Sequence, residues 1–170
     1  MRAGAIVVAA AGLLVGGCGW VASGVSPSAV GDASGVDMCT VLTEAELSGL
    51  GIKLDSREPV DQLGEVGCGW IGDPITLTLV RDKYPISDWV TRRDDPAFVT
   101  FAENVVNSRA GVRFGVRSSG RQCAQVMDGG PVTLLVSVAA ASSSGPPVDP
   151  CVEALRIAQL IEPRLPKAGT

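Results

Sequence analysis

Five cysteines and no histidine frame the chemistry open to this 170-residue chain. Without an imidazole there is no Ser-His-Asp or Cys-His dyad and no histidine-ligated zinc or iron site. Thiolates alone could hold a metal, but Cys39, Cys68, Cys123 and Cys151 are nowhere at CxxC spacing. They read as disulfide partners, and no metal site or cofactor is expected. Four cysteines allow three connectivities. We favour Cys39–Cys68 with Cys123–Cys151, each closing a loop of roughly 30 residues and contributing about 3–4 kcal/mol in the chain-entropy model. Arg109, Arg113, Arg117 and Arg121 recur at intervals of four. On a strand, Arg113 and Arg117 would flank Gly115 on one face, opposite Val112, Phe114 and Val116. Guanidinium groups in line can pair carboxylates or phosphates bidentately, and they are also what the polar side of a half-buried strand carries. Glu44 and Glu46 serve a helix start, and Asp94 and Asp95 are neighbours in a charged run, so neither pair suits glycosidase chemistry. The serines at 142–144 lack a Ser-x-x-Lys lysine. No catalytic residue is assigned.

The fifth cysteine, Cys18, has a different setting. Met1-Arg2 precedes an uncharged apolar stretch from Ala3 to Val15, which leads into Val15-Gly16-Gly17-Cys18. That tetrapeptide resembles the bacterial lipobox, in which small residues let the backbone extend into a peptidase cleft and the thiol accepts a diacylglyceryl group. On this reading residues 1–17 are a signal peptide, 18–36 are the lipidated cysteine and a flexible tether, 37–166 form one domain and 167–170 are a tail. An uncleaved spanning helix would need about 20 apolar residues, and Gly12, Gly16, Gly17 and Gly19 interrupt this segment. Two or three acyl chains hold a protein stably where one is marginal. The expected location is therefore the extracytoplasmic face of a cell membrane, with Trp20 near the interface. Net charge is −4, and loss of Arg2 with the leader makes it −5. An acidic chain has no general attraction for phosphate backbones, so no nucleic-acid partner is expected.

The elements that must position these groups follow from local pattern. Thr43 and Glu46 match a capping box, with Leu47 and Leu50 on one face of a short helix ended by Gly49 to Gly51. Residues 67–72 and 75–82 read as strands joined at Asp73-Pro74, with Ile75, Leu77 and Leu79 alternating against Thr76 and Thr78. Ser87 is set to cap a short helix carrying Trp89 and Val90, after which the RRDD run at 92–95 reads as a solvated loop. Residues 104–107 and 112–117 suggest a hairpin around SRAG, and 121–127 with 132–140 suggest another around Asp128-Gly129-Gly130. Asp149 caps a last helix with Pro150 at its first position, Val152, Leu155, Ala158 and Ile161 on one face, and Pro163 at its end. The fold class is α+β, a largely antiparallel sheet with N- and C-terminal helices packed on one face and two disulfides.

DMCTVLTEAEL, GCGW on a strand, an isolated cysteine before an apolar hairpin, and DPC-x₃-L-x₂-A opening a final helix together resemble one family. It is the actinobacterial, especially mycobacterial, cell-envelope lipoproteins with a two-disulfide domain of unknown function. The resemblance covers residues 37–165 and implies location and fold without a catalytic residue. A more distant similarity links the chain to small disulfide-bonded sensor domains of mycobacterial receptor kinases. The expected function is a non-enzymatic, membrane-anchored lipoprotein binding an envelope ligand or protein partner. A carrier of lipid or another apolar ligand is the alternative, and an acid-only envelope hydrolase the second. Trp70 and Trp89 are candidate ligand platforms, with a core role the simpler reading for Trp70.

Overall fold

The computed structural model describes residues 30–117, 120–141 and 148–167. The expected leader, Cys18, Trp20 and the serines at 142–144 lie outside the described residues. Seven strands form one antiparallel sheet: β1 (Glu58–Gln62), β2 (Glu65–Trp70), β3 (Ile75–Asp82), β4 (Phe98–Val106), β5 (Arg109–Val116), β6 (Gln122–Asp128) and β7 (Thr133–Ala140). Their order is β1-β2-β3-β7-β6-β5-β4. Antiparallel pairing brings the β1–β2, β4–β5 and β6–β7 turns to the same end of the sheet. Among the described residues, three α-helices accompany it: α1 (Glu44–Gly49), α2 (Ile86–Thr91) and α3 (Pro150–Ile161).

The strongly patterned segments form as read. Alternation along β3 sends Ile75, Leu77 and Leu79 into a core shared with Met127, Leu134, Val136 and Val138. The capping box is complete, with Thr43 Oγ1 accepting from Glu46 N and Glu46 Oε2 accepting from Thr43 N at 2.8 Å. Helix α1 sends Leu47 into the same core. At α3, Asp149 Oδ1 accepts from Cys151 N at 2.8 Å and Pro150 starts the helix. Both disulfides take the favoured pairing, Cys39–Cys68 and Cys123–Cys151.

Other details differ. The buried stripe of α3 is Ala154, Ile157, Ala158 and Ile161, while Val152 is exposed. The bond from Cys151 to buried Cys123 on β6 sets the rotation of the helix, and residues 154, 158 and 161 follow on the same face. The β4–β5 turn falls at Asn107-Ser108, so that only the serine of SRAG belongs to it. Asn107 takes a left-handed φ of 54°, which Asn tolerates, so Arg109 to Gly111 join β5. Helix α2 starts from Pro85 without a side-chain cap, with Ser87 inside it. It lies against the face of the sheet opposite α3, through Trp89. Strand β1 (EPVDQ) has no strand signature of its own, because its pattern is charged and contains Pro59. A proline fits an edge strand, where the missing N–H breaks no ladder bond.

Residues 30–36, whose Gly, Ser and Ala content suggests a tether, pack onto the domain. Val30 bridges Lys167, Ala33 is fully buried, and Ala33 N donates to Gly129 O at 2.9 Å. Small residues make this approach possible: a Cβ on Gly31 would lie 2.6 Å from Lys167 O. Arg81 donates to Ser34 O and Val36 O, holding the same segment across β3.

The β1–β2 turn departs from turn chemistry. Leu63 has φ 55° and Gly64 φ 96°, a pair that normally selects Asn-Gly. A leucine in that region costs about 1–2 kcal/mol, and this one leaves its side chain 91% exposed.

Candidate functional site

Among the described residues, the face of the sheet opposite α3 is only partly covered. Helix α2 is too short to span it, and it leaves a pocket of about 290 Å³ beside Trp89. Aromatic side chains converge there although aromatics make up only 4% of the chain. Phe98 and Phe114 stack at 4.1 Å between centroids, and Trp89 and Phe114 at 5.3 Å. Phe101 stacks on Phe98 at 6.3 Å. All three phenylalanines of the sequence meet in this cluster. Phe98 and Phe101 are three apart on one strand and would ordinarily point to opposite faces. A register shift between Val99 and Ala102, with Thr100 at φ 53°, inserts the extra residue that turns both inward.

Polar groups complete the pocket. The Arg92 guanidinium sits 4.8 Å from the ring centroids of both Trp89 and Phe98, a cation–π arrangement, and it pairs with Asp95 at 3.3 Å. Trp89 Nε1 donates to Thr133 Oγ1 at 3.0 Å, which fixes the indole. The floor carries Thr78, Ser137 and Gln122, with Gln122 Nε2 donating to Ser137 Oγ at 2.8 Å. A second pocket of about 450 Å³ shares Thr78 and continues along the same face towards β1.

Among the described residues, Glu65 is the one carboxylate lining the first pocket. The β2–β3 register places it opposite Asp82. Burial, then the Asp82 charge, push the Glu65 carboxyl above its ordinary pKa, with Arg92 opposing. Burial likewise raises Asp82, against hydrogen bonds from Tyr84 N and Lys83 N. A raised folded-state pKa means the folded chain binds the Glu65 proton more tightly than the unfolded chain. This group therefore favours folding most at low pH, and the contribution declines as pH rises through the folded value. Glu65→Gln should flatten that decline and raise the thermal midpoint near pH 8 more than near pH 4. Melting curves at the two pH values measure it.

Arg113 is placed by β5 on the side facing away from the pocket, as the alternation with buried Val112 and Phe114 requires, while Arg117 follows the end of the strand and is exposed. Arg117 Nε donates to Pro96 O at 2.7 Å, and Arg121 donates to Ala141 O at 2.9 Å. Arg109 is buried and donates to Asp128 O at 2.7 Å and Pro166 O at 3.0 Å. Arg113 is half-buried, and its Nε has no hydrogen-bond partner among the described residues. The four arginines thus differ in environment, and the other three are held largely by main-chain carbonyls.

Trp70 belongs to the α3-side core, and Trp89 to the pocket. The pairing of Glu65 with Asp82 and the convergence of three phenylalanines have no local signature in the sequence. The odd spacing of Phe98 and Phe101 is the available sign of a bulge. Among the described residues no group of three or more His, Cys, Asp or Glu side chains is placed to hold a metal ion. No described helix is long and apolar enough to cross a membrane. A family model described as "Protein of unknown function (DUF3558)" matches residues 13–164. No curated protein and no solved structure matches the chain.

Proposed function

The chain belongs to the DUF3558 family, and from that premise we propose that it is a lipid-anchored extracytoplasmic binding protein whose ligand occupies the pocket beside Trp89. The observation that carries the binding reading is the aromatic wall of Trp89, Phe98 and Phe114 on a sheet face that α2 leaves open. Half-buried Phe98, backed by the buried rings of Trp89 and Phe114, offers an apolar surface, and Thr78, Ser137 and Gln122 offer donors and acceptors beside it. The matching ligand is a small amphipathic molecule with an apolar body and hydroxyl or amide groups. The anchor and the actinobacterial envelope setting rest on the Val15-Gly16-Gly17-Cys18 motif and the family resemblance.

Two measurements test this. Intact mass of the membrane-extracted chain should show acyl groups on Cys18, and reduction should add the hydrogens of two opened disulfides. Small molecules retained from envelope extracts should fall at least about tenfold for Thr78→Trp, which fills the pocket from a strand position that accepts an aromatic residue. Its melting temperature should stay close to that of the natural chain. Equal retention by both would remove the pocket as the site. A retained lipid would make the protein a carrier.

A further inference from the structure

We infer that the β1–β2 tip is a second contact with the bilayer, Leu63 entering the interface while the acyl anchor holds the chain nearby. This rests on the anchored reading above. Leu63 is 91% exposed in a left-handed backbone conformation that leucine disfavours. Among the described residues, neither core cluster includes the Leu63 side chain to offset either feature. Local rules are broken in this way where a surface has an outside partner. The neighbours suit a lipid headgroup layer. Lys83 packs against Gly64 and lies 5.1 Å from the centroid of the exposed Tyr84 ring. An apolar tip, a tyrosine and a lysine in one patch match the depth profile of a membrane interface.

The path of the chain names the occupant. Val30 enters the fold by pairing with Lys167, and Ala33 docks on Gly129 in the β6–β7 turn. That turn lies at the same end of the sheet as Leu63. Residues between Cys18 and Val30 reach at most about 40 Å when fully extended. An acylated Cys18 would therefore hold this end of the domain, where the chain enters the fold, within about 40 Å of the membrane, with the exposed Asp32 and Asp61 offset by Lys83 and Lys167.

Quenching by brominated phosphatidylcholine tests the contact, using the full acylated chain in vesicles that also contain phosphatidylglycerol. In the natural chain Trp20, two residues from the anchor, should be quenched; if it is not, the anchored reading fails and this inference with it. In a Trp20→Phe background, Leu63→Trp should be quenched at least about twofold more than Ile71→Trp, which is exposed just beyond the opposite end of β2. Equal quenching at 63 and 71, with Trp20 quenched, would overturn the tip contact while leaving the anchor. Leu63→Gly should raise the melting temperature by relieving the backbone. A fall would show that Leu63 serves the fold, and would overturn the inference as well.

Discussion

Replacing Arg109 by alanine is expected to cost about 3–5 kcal/mol, a large share of the roughly 5–15 kcal/mol that holds a typical domain together. Arg109 and Glu162 are both almost wholly buried, with Nε 3.6 Å from Oε1. The guanidinium also closes two main-chain carbonyls, at Asp128 and Pro166. Removing it strands a buried carboxylate that keeps a hydrogen bond from Asn107 Nδ2 at 3.2 Å. Urea unfolding should show the loss as a lower midpoint with little change in slope. Arg109→Met combined with Glu162→Leu should recover much of the stability, because the larger part of the penalty is the unpaired charge. Arg117→Ala, at an exposed position in the same arginine series, should cost less than about 1 kcal/mol. Side chains of one type at one spacing thus differ in effect, because one replaces water around a buried carboxylate and the other stays in water.

Loss of either disulfide should lower stability by about 3–4 kcal/mol, as expected for bridges spanning 29 and 28 residues. Cys123→Ala with Cys151→Ala frees the first turn of α3 from β6, and Cys39→Ala with Cys68→Ala frees the amino-terminal segment from β2. Similar loop lengths make the entropic parts nearly equal, so a difference between the two double variants would report native-state packing. Thermal melts of both, compared with the natural chain, measure it. A loss below about 1 kcal/mol for either pair would show that the unfolded chain is already constrained there.

The sequence is most legible where one local rule acts alone. The capping box at Thr43 and Glu46, the Asp149-Pro150 start of α3 and the alternation along β3 each depend on residues within a few positions. Three features need longer-range information. The rotation of α3 follows from Cys151 bonding to Cys123, so counting apolar residues selects Val152 where the fold buries Ala154 and Ile157. Strand β1 forms because β2 offers it an edge, although EPVDQ has weak strand character by itself. The pocket depends on a bulge in β4 and on pairing across strands, which brings Phe98, Phe114 and Trp89 together from separate segments. Glu65 and Asp82 are seventeen positions apart in the chain and meet only through the β2–β3 register.

The route by which the amino-terminal segment enters the fold also determines how the molecule would bear a load. Traction applied ahead of Val30 would first peel the short pairing with Lys167 and the contact of Ala33 with Gly129. It would then stop at Cys39, which is covalently joined to Cys68 within β2. Beyond that point tension passes directly into a strand hydrogen-bonded on both sides, to β1 and β3. A tug at the front of the domain can therefore strip a few residues, but further extension must shear the sheet itself.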